Sequence, residues 1–151
     1  MWAAPVALVL AAVSGCSSSA LLPPHAYGEP HGEFSISFGK TPVHRVLSPG
    51  NQLWGGGGVI VRVVVLERPI DANKIGPYLR SYLSSSRGGR LTSRFGLPAA
   101  TGIWPCFTPA PACLGFDGDL DVLDGSTVYD VHTSGLDRTT TQAALGSFRI
   151  R

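Results

Sequence analysis

Apolar residues follow three rhythms along this chain. An uncharged run occupies residues 2–13, alternation with a period of two marks Phe34, Ile36 and Phe38, and helical spacing sets out Ile75, Tyr78, Leu79, Tyr82 and Leu83. The first run is about a dozen residues long, too short for a hydrocarbon core that needs roughly 20 helical residues. It fits the apolar region of a signal peptide over residues 1–15. Glu33, Ser35 and Ser37 interleave with the three apolar residues, which predicts a half-buried strand over residues 33–38. A second strand is expected over 43–47. Residues 59–66 are the most apolar stretch of the folded part, rich in β-branched side chains and broken only by Arg62, and belong in the middle of a sheet. The i, i+3, i+4, i+7, i+8 series predicts a helix with one face on that sheet. Pro77 is tolerated only near a first turn, so the helix begins about residues 74–76, with Asp71 or Asn73 available as cap.

Turn chemistry fills the intervals. Ser48-Pro49-Gly50-Asn51 is a turn. Gly55 to Gly58 reads as a mobile hairpin loop; a phosphate cradle would need a following Lys-Ser/Thr and a helix, and here a strand follows. Arg87-Gly88-Gly89-Arg90 reads as a glycine-rich turn with exposed arginines. A strand is expected over 91–95, a loop carrying Trp104 over 96–105, and strands over 113–116, 120–123 and 126–133, the last two joined at Asp124-Gly125. Asp137 caps a closing helix over 138–145, and residues 147–151 form a tail.

The end of the first apolar run carries Val13-Ser14-Gly15-Cys16, which resembles the lipobox of bacterial lipoproteins. The resemblance implies transfer of a diacylglyceryl group to the Cys16 thiol and cleavage just before it. Small side chains at Ser14 and Gly15 let extended backbone enter the peptidase. Two acyl chains then hold the mature end in the cell membrane, at about 0.8 kcal/mol per buried CH₂. The competing reading is an ordinary secretory signal with an incidental cysteine. Residues 16–30, with Ser17 to Ser19 and then Pro23-Pro24, read as a flexible, then stiff, tether. Residues 31–151 are enough for one domain with one core.

Composition agrees with a globular, turn-rich chain: 44% hydrophobic, 15% charged, 19 Gly and 12 Pro. The net charge of +2 conceals a split. Basic residues dominate from Lys40 to Arg94 and aspartates from Phe95 onward, which reads either as a basic face toward anionic headgroups or as ordinary solvated surface. With Cys16 lipidated, Cys106 and Cys113 remain as a disulfide pair suited to an oxidising compartment. Closing that loop would contribute about 2.5 kcal/mol on a chain-entropy account. Asp117, Asp119, Asp121 and Asp124 alternate with Leu120 and Val122 and read as a solvated strand face; the glycine a calcium-binding EF-hand loop needs is absent, Val122 standing there. His25, His31, His44 and His132 sit in no recognisable nucleophile setting, and no Gly-x-Ser-x-Gly elbow occurs. No catalytic set, metal site or cofactor is expected.

Gly32-Glu33-Phe34-Ser35-Ile36-Ser37-Phe38-Gly39 with Pro42, the strand Thr127-Val128-Tyr129-Asp130-Val131, and the closing Ala144-Leu145-Gly146-Ser147-Phe148-Arg149-Ile150 resemble small actinobacterial lipoproteins with a PsbP-like domain. That resemblance implies an α+β fold, an antiparallel sheet packed by about two helices, and adaptor or ligand binding without shared catalytic residues. The expected protein is a lipid-anchored, non-catalytic binding domain on the extracytoplasmic face of the cell membrane. Its partner is an envelope protein or component and not nucleic acid. The alternative is a carrier of a small apolar ligand between sheet and helix, with Tyr78, Tyr82 and Trp104 lining the pocket.

Overall fold

The computed structural model describes residues 25–28, 33–83, 89–106 and 115–151. Its strands are β1 (His25–Gly28), β2 (Phe34–Phe38), β3 (Val43–Ser48), β4 (Asn51–Gly56), β5 (Val59–Val65), β6 (Arg90–Arg94), β7 (Leu97–Pro105), β8 (Phe116–Asp124), β9 (Thr127–Leu136) and β10 (Arg149–Ile150). A 3-10 turn (Ala72–Lys74) leads into helix α1 (Ile75–Tyr82), and α2 (Arg138–Ser147) precedes β10. Seven strands form one sheet in the order β3-β4-β5-β9-β8-β7-β6, and a small sheet has the order β1-β2-β10. Every pairing is antiparallel.

Two helices and the small sheet cover the large sheet from opposite sides. On one side Val61 and Leu120 both pair with Val131, and Val63 and Val122 both pair with Tyr129. This apolar floor meets Phe34, Ile36 and Phe38 of β2, Ala144 and Leu145 of α2, and Phe148. Phe34 is the hub: its ring meets Trp54 edge-on at 4.9 Å and lies 6.1 Å from Phe148 and 6.4 Å from Tyr129. Each such side chain contributes roughly 1.5–3 kcal/mol when fully buried. On the other side Leu79 of α1 sits on Ala100, Leu123 and Val128, with Tyr78 and Tyr82 packed at the margin.

The alternation at Phe34, Ile36 and Phe38 and the helical series from Ile75 form the predicted elements, with Pro77 in the first turn of α1. Several expectations are corrected. Residues 97–105, expected as a loop, are the strand β7, held between β6 and β8. Its alanines, glycine and prolines give no strand signal, but pairing on both sides overrides local preference. The expected strands at 113–116 and 120–123 are, within the described residues, the single strand β8. Gly55 and Gly56 belong to β4, so the supposed mobile loop is a tight turn at Gly57 and Gly58, with φ of 61° and 78°. A Cβ on Gly57 would lie 2.7 Å from Gly39 Cα, so close backbone approach explains the glycines. Residues 25–28, within the expected tether, pair with β2, and the expected tail supplies β10.

Candidate functional site

Beneath α1 the sheet carries a buried polar row. Asp130 of β9 lies between Arg62 and Asp121, and His132 lies between Ile60 and Asp119. Arg62 donates to Oδ2 of Asp130 from Nε at 2.9 Å and from Nη2 at 2.5 Å. Its guanidinium stands 5.4 Å from the centre of the Tyr82 ring, and Tyr82 shares a 2.8 Å hydroxyl hydrogen bond with Tyr78. Nδ1 of His132 is 2.5 Å from Oδ1 of Asp119. Asp119, Asp121 and Asp130 are 1%, 0% and 8% exposed. The expected solvated strand face is therefore corrected at Asp119 and Asp121. The alternation itself holds, since Leu120 and Val122 join the opposite core. Because both sides of the sheet are covered, both phases of the alternation are inside.

Burial pushes the Asp121 carboxyl up to about 9, reinforced by the negative charges of Asp130 and Asp119. Neither Asp121 oxygen meets a hydrogen-bond donor among the described residues. As a neutral acid, Asp121 faces Asp130 across the β8–β9 pairing, and Arg62 balances the charge of Asp130. Burial also pushes Asp130 upward, and Arg62 opposes it. His132 is raised by its hydrogen bond to Asp119 in spite of burial, and burial and the bond to Tyr78 raise the Tyr82 phenol. Arg62 and His132 thus face three aspartates on adjacent strands, of which Asp121 is held neutral. No group of three potential metal ligands is placed to share an ion among the described residues.

The three predicted ligand-contact residues lie on this same side of the sheet. Tyr78 and Tyr82 sit on α1 over Arg62. Trp104 follows Ala100 and Gly102 at two-residue steps along β7 and is almost fully buried. A Cβ on Gly102 would lie 2.3 Å from Trp104 Cζ3, so the glycine makes room for the indole. On the opposite side, an apolar cavity of about 390 Å³ opens between α2, the end of β2 and the Gly57 turn, lined chiefly by Phe38, Val59, Leu136, Ala143 and Ala144. Sequence reasoning missed it. Its only trace there is the run of small residues at Ala143 and Ala144, which keeps α2 slim. Cys16 and Cys113 lie outside the described residues; Cys106 directly follows β7.

No family model matches the chain, and no curated protein matches it. Among solved structures, the solution structure of cyanobacterial PsbP (CyanoP) from Synechocystis is similar, with a TM-score of 0.51 at 11% identity over 92% of this chain and 99% of that one. A crystal structure from Bacteroides thetaiotaomicron reaches a TM-score of 0.42 at 10% identity, over 83% of this chain and 48% of that one. The domain has the PsbP-like fold, an antiparallel α+β architecture with two helices.

Proposed function

We propose that this chain is a lipid-anchored adaptor of the cell envelope, a non-catalytic binding domain held through acyl chains on Cys16. The observation that carries the reading is Val13-Ser14-Gly15-Cys16 after an apolar run, joined to a PsbP-like domain. The resemblance to small actinobacterial lipoproteins supplies the adaptor role. The Cys106–Cys113 disulfide belongs to the same reading, since it suits an oxidising envelope. Mass spectrometry of the mature N-terminus tests the anchor: an acylated Cys16 at the new terminus is expected, and a Cys16→Ser form should lose both acylation and cleavage before residue 16. Acyl-free mature protein would sink the proposal.

A second reading, a carrier of a small apolar ligand, is favoured by the cavity beneath α2. At about 390 Å³ it falls in the size range of small-molecule sites. Ala143→Trp, which fills it, should abolish uptake of a fluorescent fatty-acid probe while leaving the fold intact.

A further inference from the structure

The hairpin of β6 and β7 presents a basic groove at the far edge of the sheet from β3. Arg90, Thr92 and Arg94 pair with Thr101, Ala99 and Leu97, so all three share the side on which α2 lies. There a groove of about 250 Å³ has a floor of Ile103, Leu120 and Leu145 and a rim that includes Arg90 and Arg94. No Asp or Glu lines it, and neither arginine forms an ion pair among the described residues. Arg94 donates from Nη2 to the Gly146 carbonyl at 3.0 Å, yet its Nε is buried with no partner among the described residues. A buried donor on a charged group is costly until an acceptor meets it.

Capping of α2 does not account for these charges. A helix C-terminus carries only about half a negative charge. Arg149 already serves it, donating from Nη1 to Gly146 O at 2.6 Å and Phe148 O at 2.7 Å. Beside the groove, Phe95 holds a φ of 56° in the turn with Gly96, a place that favours Asn or Gly. Its ring is 45% exposed and lies 5.1 Å from the Arg94 guanidinium and 5.8 Å from that of Arg149. A bulky aromatic held in strained backbone and left exposed between two cations has the form of an interfacial anchor, with the ring at headgroup depth and guanidiniums beside phosphate.

We propose that the groove and the Phe95 tip bind the phosphodiester of an anionic phospholipid headgroup at a membrane surface. Arg90 and Arg94 take the phosphate through their guanidinium N–H groups, and Phe95 enters the interface. The site acts independently of any acyl group on Cys16.

Sedimentation of the full chain carrying Cys16→Ser with phosphatidylcholine vesicles, with and without phosphatidylglycerol, tests this. The apolar run at residues 2–13 contributes equally to both, so the difference between vesicles reads the groove. Preference for the anionic vesicles is expected, weakened by salt and lowered about tenfold or more in the Arg90→Gln/Arg94→Gln double variant. Phe95→Asn suits the turn and should raise the melting temperature while weakening vesicle binding, which separates binding from folding. Equal partition onto both vesicles, or a double variant that binds like its parent, overturns the proposal. So does inorganic phosphate that binds through Arg94 while vesicle partition ignores the same substitutions, which assigns the groove to a soluble anion.

Discussion

Nδ1 of His132 lies 2.5 Å from Oδ1 of Asp119, and the register of β8 with β9 sets the two residues directly opposite each other. The folded protein therefore holds the imidazolium more tightly than the unfolded chain, whose ordinary value is 6.5. The stabilisation is complete below that value and is lost as pH rises through the elevated folded value. Urea unfolding across about pH 5 to 9 should show stability falling on the alkaline side of 6.5, and His132→Gln should make that fall shallower, leaving the share due to Asp121. Asp117 and Asp130 add to the same shift and remain in the variant.

Asp121 gives a second slope of the same sign. Its carboxyl moves from 3.8 unfolded to about 9 folded, so its contribution is fully present below 3.8 and decays as pH rises toward 9. Asn is neutral throughout and nearly the same shape. Asp121→Asn should exceed the parent in stability by about 1–3 kcal/mol near about pH 8, with the gap closing toward about pH 4.

Removal of Arg62 has the opposite effect. Asp130 would keep its burial and lose its counter-charge, and Tyr82 would lose the cation above its ring. The guanidinium is 42% exposed and solvent screens it in part, so Arg62→Ala should cost about 1–3 kcal/mol in chemical denaturation.

Phe34 joins β2 to Trp54, Tyr129 and Phe148 at once. Phe34→Ala should cost about 3–5 kcal/mol. Because the small sheet rests on this ring, amide exchange should accelerate across β2 and β10 before it does in the β8–β9 ladder.

The proposed Cys106–Cys113 disulfide is checked by intact mass. The oxidised chain should weigh two hydrogens less than the reduced one, and Cys113→Ala should lower thermal stability by the equivalent of about 2–3 kcal/mol.

Legibility in the sequence followed the range of the forces involved. The period-two pattern at Phe34, Ile36 and Phe38 and the series from Ile75 to Leu83 were readable because each states its own burial within a few residues. The β7 strand was not, since Ala99, Ala100, Gly102 and Pro105 become strand only when Leu91 and Asp121 arrive to flank Ala100. The aspartates misled for a related reason. Alternation predicts which residues share a side and says nothing about whether α1 covers that side. Tyr78, Tyr82 and Trp104 could be picked out as aromatics near a helix, but the Arg62–Asp130 pair that underlies the tyrosines spans 68 positions. Arg94 and Gly146, which meet beside the basic groove, are 52 positions apart and left no local signature.

The pairing of β10 with β2 has a consequence for biosynthesis. Ile150 pairs with Phe34, so nearly the whole described chain must be out of the ribosome before the small sheet can close over its aromatic hub. Until then Phe34, Ile36 and Phe38 lie in a strand still missing one of its two partners.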